Sequence, residues 1–259
     1  GSINYTDGSQ KKVDLVIDAR GFGKPMQSAG YQKFVGQFIT TQKPHGLDHV
    51  ILMDARCEQR DGFRFIYVLP WGERQLLIED TRYSNSASID TAAFTRDIAD
   101  YATKHGWHIA SIERQESAAL PIPLLSEPMP MTTIPARIGV GAGLFHPTTG
   151  YSFGEALRFA IWFAAQDLQN TDLTYAAMHD YQRRFWRRTK FLRRLNNMMF
   201  LAAAPEQRVR IMEQFYKRSQ SLIERFYANQ LTSSDCLRLV MGKPPVALRS
   251  GIESFFGRS

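Results

Sequence analysis

Two stretches of the chain carry residue types that do chemistry. Residues 139–152 read Gly-Val-Gly-Ala-Gly-Leu-Phe-His-Pro-Thr-Thr-Gly-Tyr-Ser. Glycines there allow positive-φ turns and close approach of backbone to a ligand. A helix following such a turn aims unpaired N–H groups at an anion, most simply a phosphate; a ligand-free strand-to-helix turn has the same spacing. The second stretch is Leu77-Ile-Glu-Asp-Thr81, with Glu79 and Asp80 adjacent near a strand end. Neighbours on a strand face opposite sides, so one carboxyl can point inward while the other meets solvent. An inward carboxyl among apolar groups favours its neutral form and can donate a proton near neutral pH; a solvated strand end shows the same pattern. Glu113 and Glu116 flank Arg114, three apart and thus on opposite faces, and read as surface or ion-pair residues. The six histidines form no helical HxxxH or HExxH pattern and Cys57 and Cys236 stand alone, so no metal site is proposed.

The elements that must hold these groups are mixed. Asp7-Gly8 is a turn inside a hairpin, and Leu15-Val16-Ile17 is a short buried strand. Strands are predicted over 34–39, 49–54, 63–69 and 74–83, the last two as antiparallel partners. A helix is predicted over 91–104, with Asp90 as its N-cap and Gly106 past its end. A strand returns at 107–116, a proline-rich loop covers 121–135, and residue 137 opens a strand into the glycine turn. Helices follow near 150–168, 174–203, 205–228 and 232–240.

With 259 residues, 44% of them hydrophobic, the chain is long enough for a sizeable core and is neither disordered nor collagenous. Its longest apolar runs, Phe159 to Ala165 and Met198 to Ala204, fall far short of the ~20 residues a membrane-spanning helix needs. Residues 1–150 hold 15 basic and 16 acidic side chains, residues 151–259 hold 17 and 9, so the net charge of +7 belongs to the later part. Arg183, Arg187 and Arg188 crowd one stretch, Arg183 and Arg187 an i, i+4 pair along one face of a helix whose other face carries Tyr181 and Phe185. Such a helix fits an anionic membrane surface or a core-packed helix with a solvated basic face better than it fits nucleic acid.

Taken together these residues resemble the bacterial lycopene beta-cyclase family of carotenoid biosynthesis. The resemblance rests on Asp14-Leu-Val-Ile-Asp-Ala-Arg-Gly21, Gly36-Gln37 with Pro44-His-Gly-Leu-Asp48 and Leu52-Met-Asp54, Phe65-Ile-Tyr-Val-Leu-Pro70, Leu77 to Thr81, Ala119-Leu-Pro-Ile122, Ala142 to Ser152, Arg225-Phe-Tyr227, Leu239-Val240 and Lys243-Pro-Pro245. Each is weak alone; their order over the whole chain is specific.

The resemblance implies a mixed α/β (α+β) fold, the two-domain FAD-dependent flavoprotein fold of the aromatic hydroxylase and geranylgeranyl reductase type. It further implies an antiparallel substrate-domain sheet and a helical C-terminal part. Residues 1–30 would be a remnant of the FAD-binding domain, 31–135 the substrate-domain sheet, 136–170 the FAD-binding turn and helix, and 171–259 the helical region. No Gly-x-Gly-x-x-Gly precedes Asp14, so the fold is expected to be truncated, lacking its Rossmann front third, and the chain alone to bind FAD poorly. The implied enzyme, an isomerase of the intramolecular lyase kind, converts lycopene ψ ends to β rings through γ-carotene to β-carotene, with reduced FAD and no net redox change, NAD(P)H serving as reductant. Glu79 is the implied acid/base, with Asp80 its motif neighbour. Phe65, Tyr67 and Trp71 would line the substrate pocket, and Gly141, Gly143, His146, Thr149 and Gly150 would meet the cofactor. The expected setting is the cytoplasmic face of a membrane, peripherally bound. A hydroxylase or reductase of the same fold, and an inactive basic membrane-binding fragment, are the alternative readings.

Overall fold

A computed structural model describes residues 2–21, 30–125, 129, 133–241 and 253–255; the motif at 243–245 lies outside them. The chain opens with a hairpin, β1 (Ser2–Asn4) antiparallel to β2 (Gln10–Lys12), turning through Gly8 at φ 85°. Strand β3 (Ile17–Asp18) then pairs in parallel with β9 (Ala136–Arg137), which brings the early apolar run against the glycine turn.

The centre is a five-stranded antiparallel sheet in the order β5-β6-β7-β4-β8. Its strands are β4 (Gly30–Thr41), β5 (Ile51–Asp54), β6 (Phe63–Pro70), β7 (Gln75–Ser84) and β8 (Ile109–Ile122). The hairpin expected between 63–69 and 74–83 is present, with Tyr67 opposite Glu79. Strand β8 runs beyond the predicted end at 116, through Pro121 to Ile122. It tolerates that proline because it is the sheet edge, where a missing N–H need break no ladder.

Alternation sends Val35, Ile39, Ile66, Val68, Leu76 and Ile78 to one face, where they bury against α1 (Thr91–Lys104) through Phe94, Ile98, Tyr101 and Ala102. Asp90 caps that helix as expected, accepting from the Ala93 N–H at 3.0 Å. The other face is covered in part. Phe63, Phe65, Tyr83 and Ile122 pack under Met199 and Phe200 from the C-terminal helices. Those helices are α2 (Phe153–Ala164), α3 (Thr171–Arg188), α4 (Lys190–Asn197), α5 (Arg208–Tyr216), α6 (Gln220–Tyr227) and α7 (Ser233–Val240). The helix expected over 174–203 breaks at Thr189, whose hydroxyl turns back onto the Phe185 carbonyl at 3.0 Å and receives the Arg193 guanidinium at 2.8 Å.

Under α1 lies a buried charge network. Arg64 Nε meets Asp80 at 3.0 Å, Arg82 reaches Asp80 at 2.9 Å and Asp97 at 2.7 Å, and Arg60 adds a bond to Asp97 at 3.0 Å. Asp80 is fully buried. Removing one member of such a set leaves the others charged and uncompensated, which costs about 3–5 kcal/mol. Asp80→Asn is therefore expected to lower unfolding stability by roughly that amount, read from the urea midpoint at constant slope.

Candidate active site

The uncovered half of the second sheet face forms a cavity of about 790 Å³. The sheet supplies its floor: Gln32 and Phe34 from β4, Tyr67 from β6, Glu79 from β7 and Leu120 from β8. Residues 149–152 of the glycine turn form one wall; Met53, Tyr216 and Tyr227 form another. Glu79 and the turn residues Thr149 and Gly150 thus border one space.

Glu79 accepts a hydrogen bond from Thr81 Oγ1 at 2.9 Å. Among the described residues it has no ion pair, and burial lifts its pKa above the ordinary carboxylate value, with Glu116 and Asp80 adding repulsion. Asp80 is not brought to the cavity. It points to the opposite face, where Arg64 and Arg82 hold it, because consecutive strand residues cannot share a face. The pair separates into one structural anion and one carboxyl in an apolar setting.

Tyr67 lines the cavity, and its phenol stays neutral because burial and the nearby Glu79 raise its pKa. Phe65 sits one layer behind, edge-on to Tyr67 at 5.1 Å and packed in the Phe63–Tyr83 cluster. Trp71 does not line the cavity: it is 67% exposed and leans on Phe38 at 6.3 Å, beyond the end of the cavity.

The glycine turn divides as well. Gly141 is required by packing, because the Gly21 carbonyl oxygen lies 2.3 Å from where a Cβ would stand; Gly143 takes φ 69° to end a single 3-10 turn. Neither borders the cavity. His146 is buried with both ring nitrogens engaged. Nε2 donates to the Phe226 carbonyl at 2.8 Å, and Nδ1 accepts from the N–H groups of Thr148 and Thr149 at 3.3 and 3.2 Å. Burial depresses its pKa to about 4, so the ring stays neutral and keeps both bonds. His146 pins Thr149 and Gly150 against α6. Gly150 needs its glycine twice over: φ is 69°, and a Cβ would meet Gln32 Oε1 at 3.3 Å.

Several lining residues were not singled out from the sequence. Met53 adopts φ 54° beside a register shift between β5 and β6, and its sulfur accepts from Tyr216 Oη at 3.0 Å and Tyr227 Oη at 3.4 Å. The two hydroxyls also bond each other. Tyr227 ends the Arg225-Phe-Tyr motif, but nothing local marks Tyr216. It reaches the site because Arg208, fully buried, fastens α5 to the Met199 carbonyl at 3.0 Å and the Tyr83 carbonyl at 2.7 Å. Gln32 brings a buried Oε1 with no hydrogen-bond partner to the cavity beside Thr149 and Gly150.

Arg183, Arg187 and Arg188 are exposed, as a surface role requires. Arg183 pairs with Asp180 at 3.3 Å, and Arg188 reaches Glu155 at 3.6 Å. Among the described residues no helix is long and apolar enough to cross a membrane.

An antiparallel sheet backed by one helix on one face, with a glycine turn and a helical C-terminal part on the other, defines a mixed α/β fold of the geranylgeranyl reductase type. The solved structure of a geranylgeranyl bacteriochlorophyll reductase-like protein of Thermoplasma acidophilum superposes with a TM-score of 0.50 at 12% identity, covering 100% of this chain and 68% of that one. The sequence profile described as lycopene cyclase protein matches residues 2–252, and the chain belongs to that family. It is 40% identical to the lycopene beta-cyclase of Pantoea ananas over 98% of this chain and 67% of the relative. It is 41% identical to that of Pseudescherichia vulneris, over 95% and 65%. The chain spans about two thirds of the length of these curated relatives.

The environment of Glu79 has a measurable consequence for folding. A carboxyl whose folded-state pKa is raised favours folding below its unfolded value, and that contribution is lost as pH rises through the folded value. At neutral pH the ionised or strained carboxyl is a burden that a neutral amide does not carry. Glu79→Gln is expected to melt at a higher temperature than the parent at pH 7.5 and to show no such gain at pH 4, by paired thermal unfolding scans.

Proposed function

We propose that this chain provides the acid/base centre and substrate cavity of a lycopene beta-cyclase. The observation that carries the reading is Glu79: a carboxyl with no cation paired to it among the described residues, its pKa raised by burial, in an apolar aromatic cavity bordered by the glycine turn. An alkene is a very weak base, so its protonation needs an acid that is close, oriented and shielded from water. Glu79 donates its proton to an end-group double bond of the polyene, leaving a tertiary carbocation. The neighbouring double bond attacks that centre and closes the six-membered ring. Loss of a ring proton to the carboxylate restores the acid, so the reaction is redox-neutral and Glu79 ends as it began. Phe34, Tyr67, Tyr216 and Tyr227 offer ring faces to the passing cation. Tying the Tyr216 and Tyr227 hydroxyls to each other and to Met53 orients them away from nucleophilic capture.

FAD fits one end of this cavity. Gln32 Oε1 is a buried acceptor awaiting a donor, next to the Gly150 backbone, whose missing Cβ leaves room for a ring edge. Gln32, Thr149 and Gly150 would hold it there. When bound in reduced form, with NAD(P)H as the reductant, it would supply negative charge near the cation. Lycopene is the substrate on this reading, and the protein works at the cytoplasmic membrane surface where lycopene resides.

Joined to the first third of the Pantoea ananas relative and expressed in lycopene-accumulating bacteria, the chain is expected to yield β-carotene. The same hybrid with Glu79→Gln should leave lycopene unconverted, at least a hundredfold down by pigment chromatography. Retained conversion in Glu79→Gln defeats the reading.

For the membrane surface, replacing Arg183, Arg187 and Arg188 by Glu is expected to weaken sedimentation with anionic liposomes severalfold and to leave neutral liposomes unaffected. Unchanged binding removes these residues from the interface.

A further inference from the structure

The cavity carboxyl has a second carboxyl beside it that the strand spacing concealed. Gly36 on β4 stands opposite Glu79 on β7 and opposite Glu116 on β8, so the three lie in one row across the sheet. Residues directly opposite in adjacent strands point to the same face. Glu79 Oε2 and Glu116 Cγ each lie 3.5 Å from the position a Gly36 Cβ would occupy, so at most about twice that distance separates them, and a Leu77 methyl lies 3.3 Å from the same point. A glycine inside a central strand marks a close approach of neighbouring groups, and here it opens the line between the two carboxylates. Glu116 is itself held: Arg114 contacts its Oε2 at 3.5 Å and lies 4.1 Å over the Phe38 ring.

Resting on the cyclase reading for its functional meaning, we propose that Glu116 is a positioning residue of the acid site, whose negative charge, facing Glu79 across Gly36, keeps the proton on Glu79, while Arg114 moderates that charge. The groups around Glu79 leave it few competitors. Tyr67 from β6, Tyr216 from α5 and Tyr227 from α6 are neutral phenols with raised pKa values. Asp80, on the same strand, faces away and is paired with Arg64 and Arg82. The repulsion from Glu116 is larger than that from Asp80, as the geometry requires. Glu116 touches no reacting atom; it acts through Glu79. Its own side chain is 43% exposed and in contact with solvent.

The test reads the Glu79 proton directly on the full chain. The infrared carboxylic-acid band that disappears in Glu79→Gln is followed across pH in the parent, Glu116→Gln, Glu116→Asp and Arg114→Gln, with far-ultraviolet circular dichroism confirming the fold. For charges at this separation, partly screened, Glu116→Gln is expected to lower the Glu79 midpoint by about 0.4 to 1.5 pH units. Glu116→Asp should keep most of the parent value, and Arg114→Gln should raise it. An identical midpoint in Glu116→Gln and parent overturns the proposal. In the hybrid enzyme, the alkaline limb of cyclisation in Glu116→Gln should move to lower pH by the same amount, with KM unchanged. A midpoint that moves while the limb stays fixed supports the Glu116–Glu79 coupling and counts against Glu79 as the acid, so the two ideas fail separately.

Discussion

The alternation of β7 is the constraint on which the site depends. Two acidic residues in succession must leave the strand on opposite sides, and the two sides of this sheet are unlike. On the α1 side, Arg64 and Arg82 converge on Asp80 and share Asp97. On the other side Glu79 meets a threonine hydroxyl, aromatic rings and Gly36. A buried anion is tolerated only with compensation. Asp80 has cations beside it, and those ion pairs tie the sheet to the helix. Glu79 has none among the described residues, and burial shifts it toward its neutral form. A shift of one residue in register would exchange the two environments and leave an acid where the fold needs an anion.

The rest of the architecture reads as support for that asymmetry. The cavity persists because the C-terminal helices cover only the Phe63–Tyr83 half of the sheet face. Arg208 and His146 fix how far they reach. One anchors α5 to the Tyr83 carbonyl near the end of β7 and to the Met199 carbonyl, the other joins the glycine turn to α6. Both are polar groups buried at the cost of desolvation, and their hydrogen bonds go to backbone groups and, for Arg208, to the Asn85 amide oxygen rather than to carboxylates. They therefore position the aromatic walls of the cavity without forming an ion pair with Glu79.

Much of this was legible in the sequence because it is local. The Asp90 cap, the β6–β7 hairpin and the opposite facing of Glu79 and Asp80 follow from turn chemistry and a period of two. The Glu79 role came with the family resemblance, not with the spacing. What local patterns could not supply was register between strands distant in sequence. Glu116 was weighed against Glu113, three residues away, and set aside, whereas its real neighbour across the sheet is 37 positions earlier. The interior glycine at 36 was the one available sign. Trp71 was placed in the pocket by nearness in sequence, and the turn that follows Pro70 carries it out. Tyr216 had no local mark, since a buried arginine on its own helix sets its position.

Placement of the glycines shows why motif and ligand contact need not coincide. Gly141 and Gly143 are fixed by the approach of the Gly21 carbonyl and by a left-handed turn end, and these are demands of the fold. Gly150 answers to the cavity, because any side chain there would press on Gln32 and Leu120, which line it. One glycine-rich stretch therefore serves two masters: its first half packs the turn against the β3 segment, and its second half clears the wall opposite the acid. His146 joins the halves, and because burial lowers its pKa to about 4 and keeps its ring neutral, the joint holds from mildly acidic pH upward.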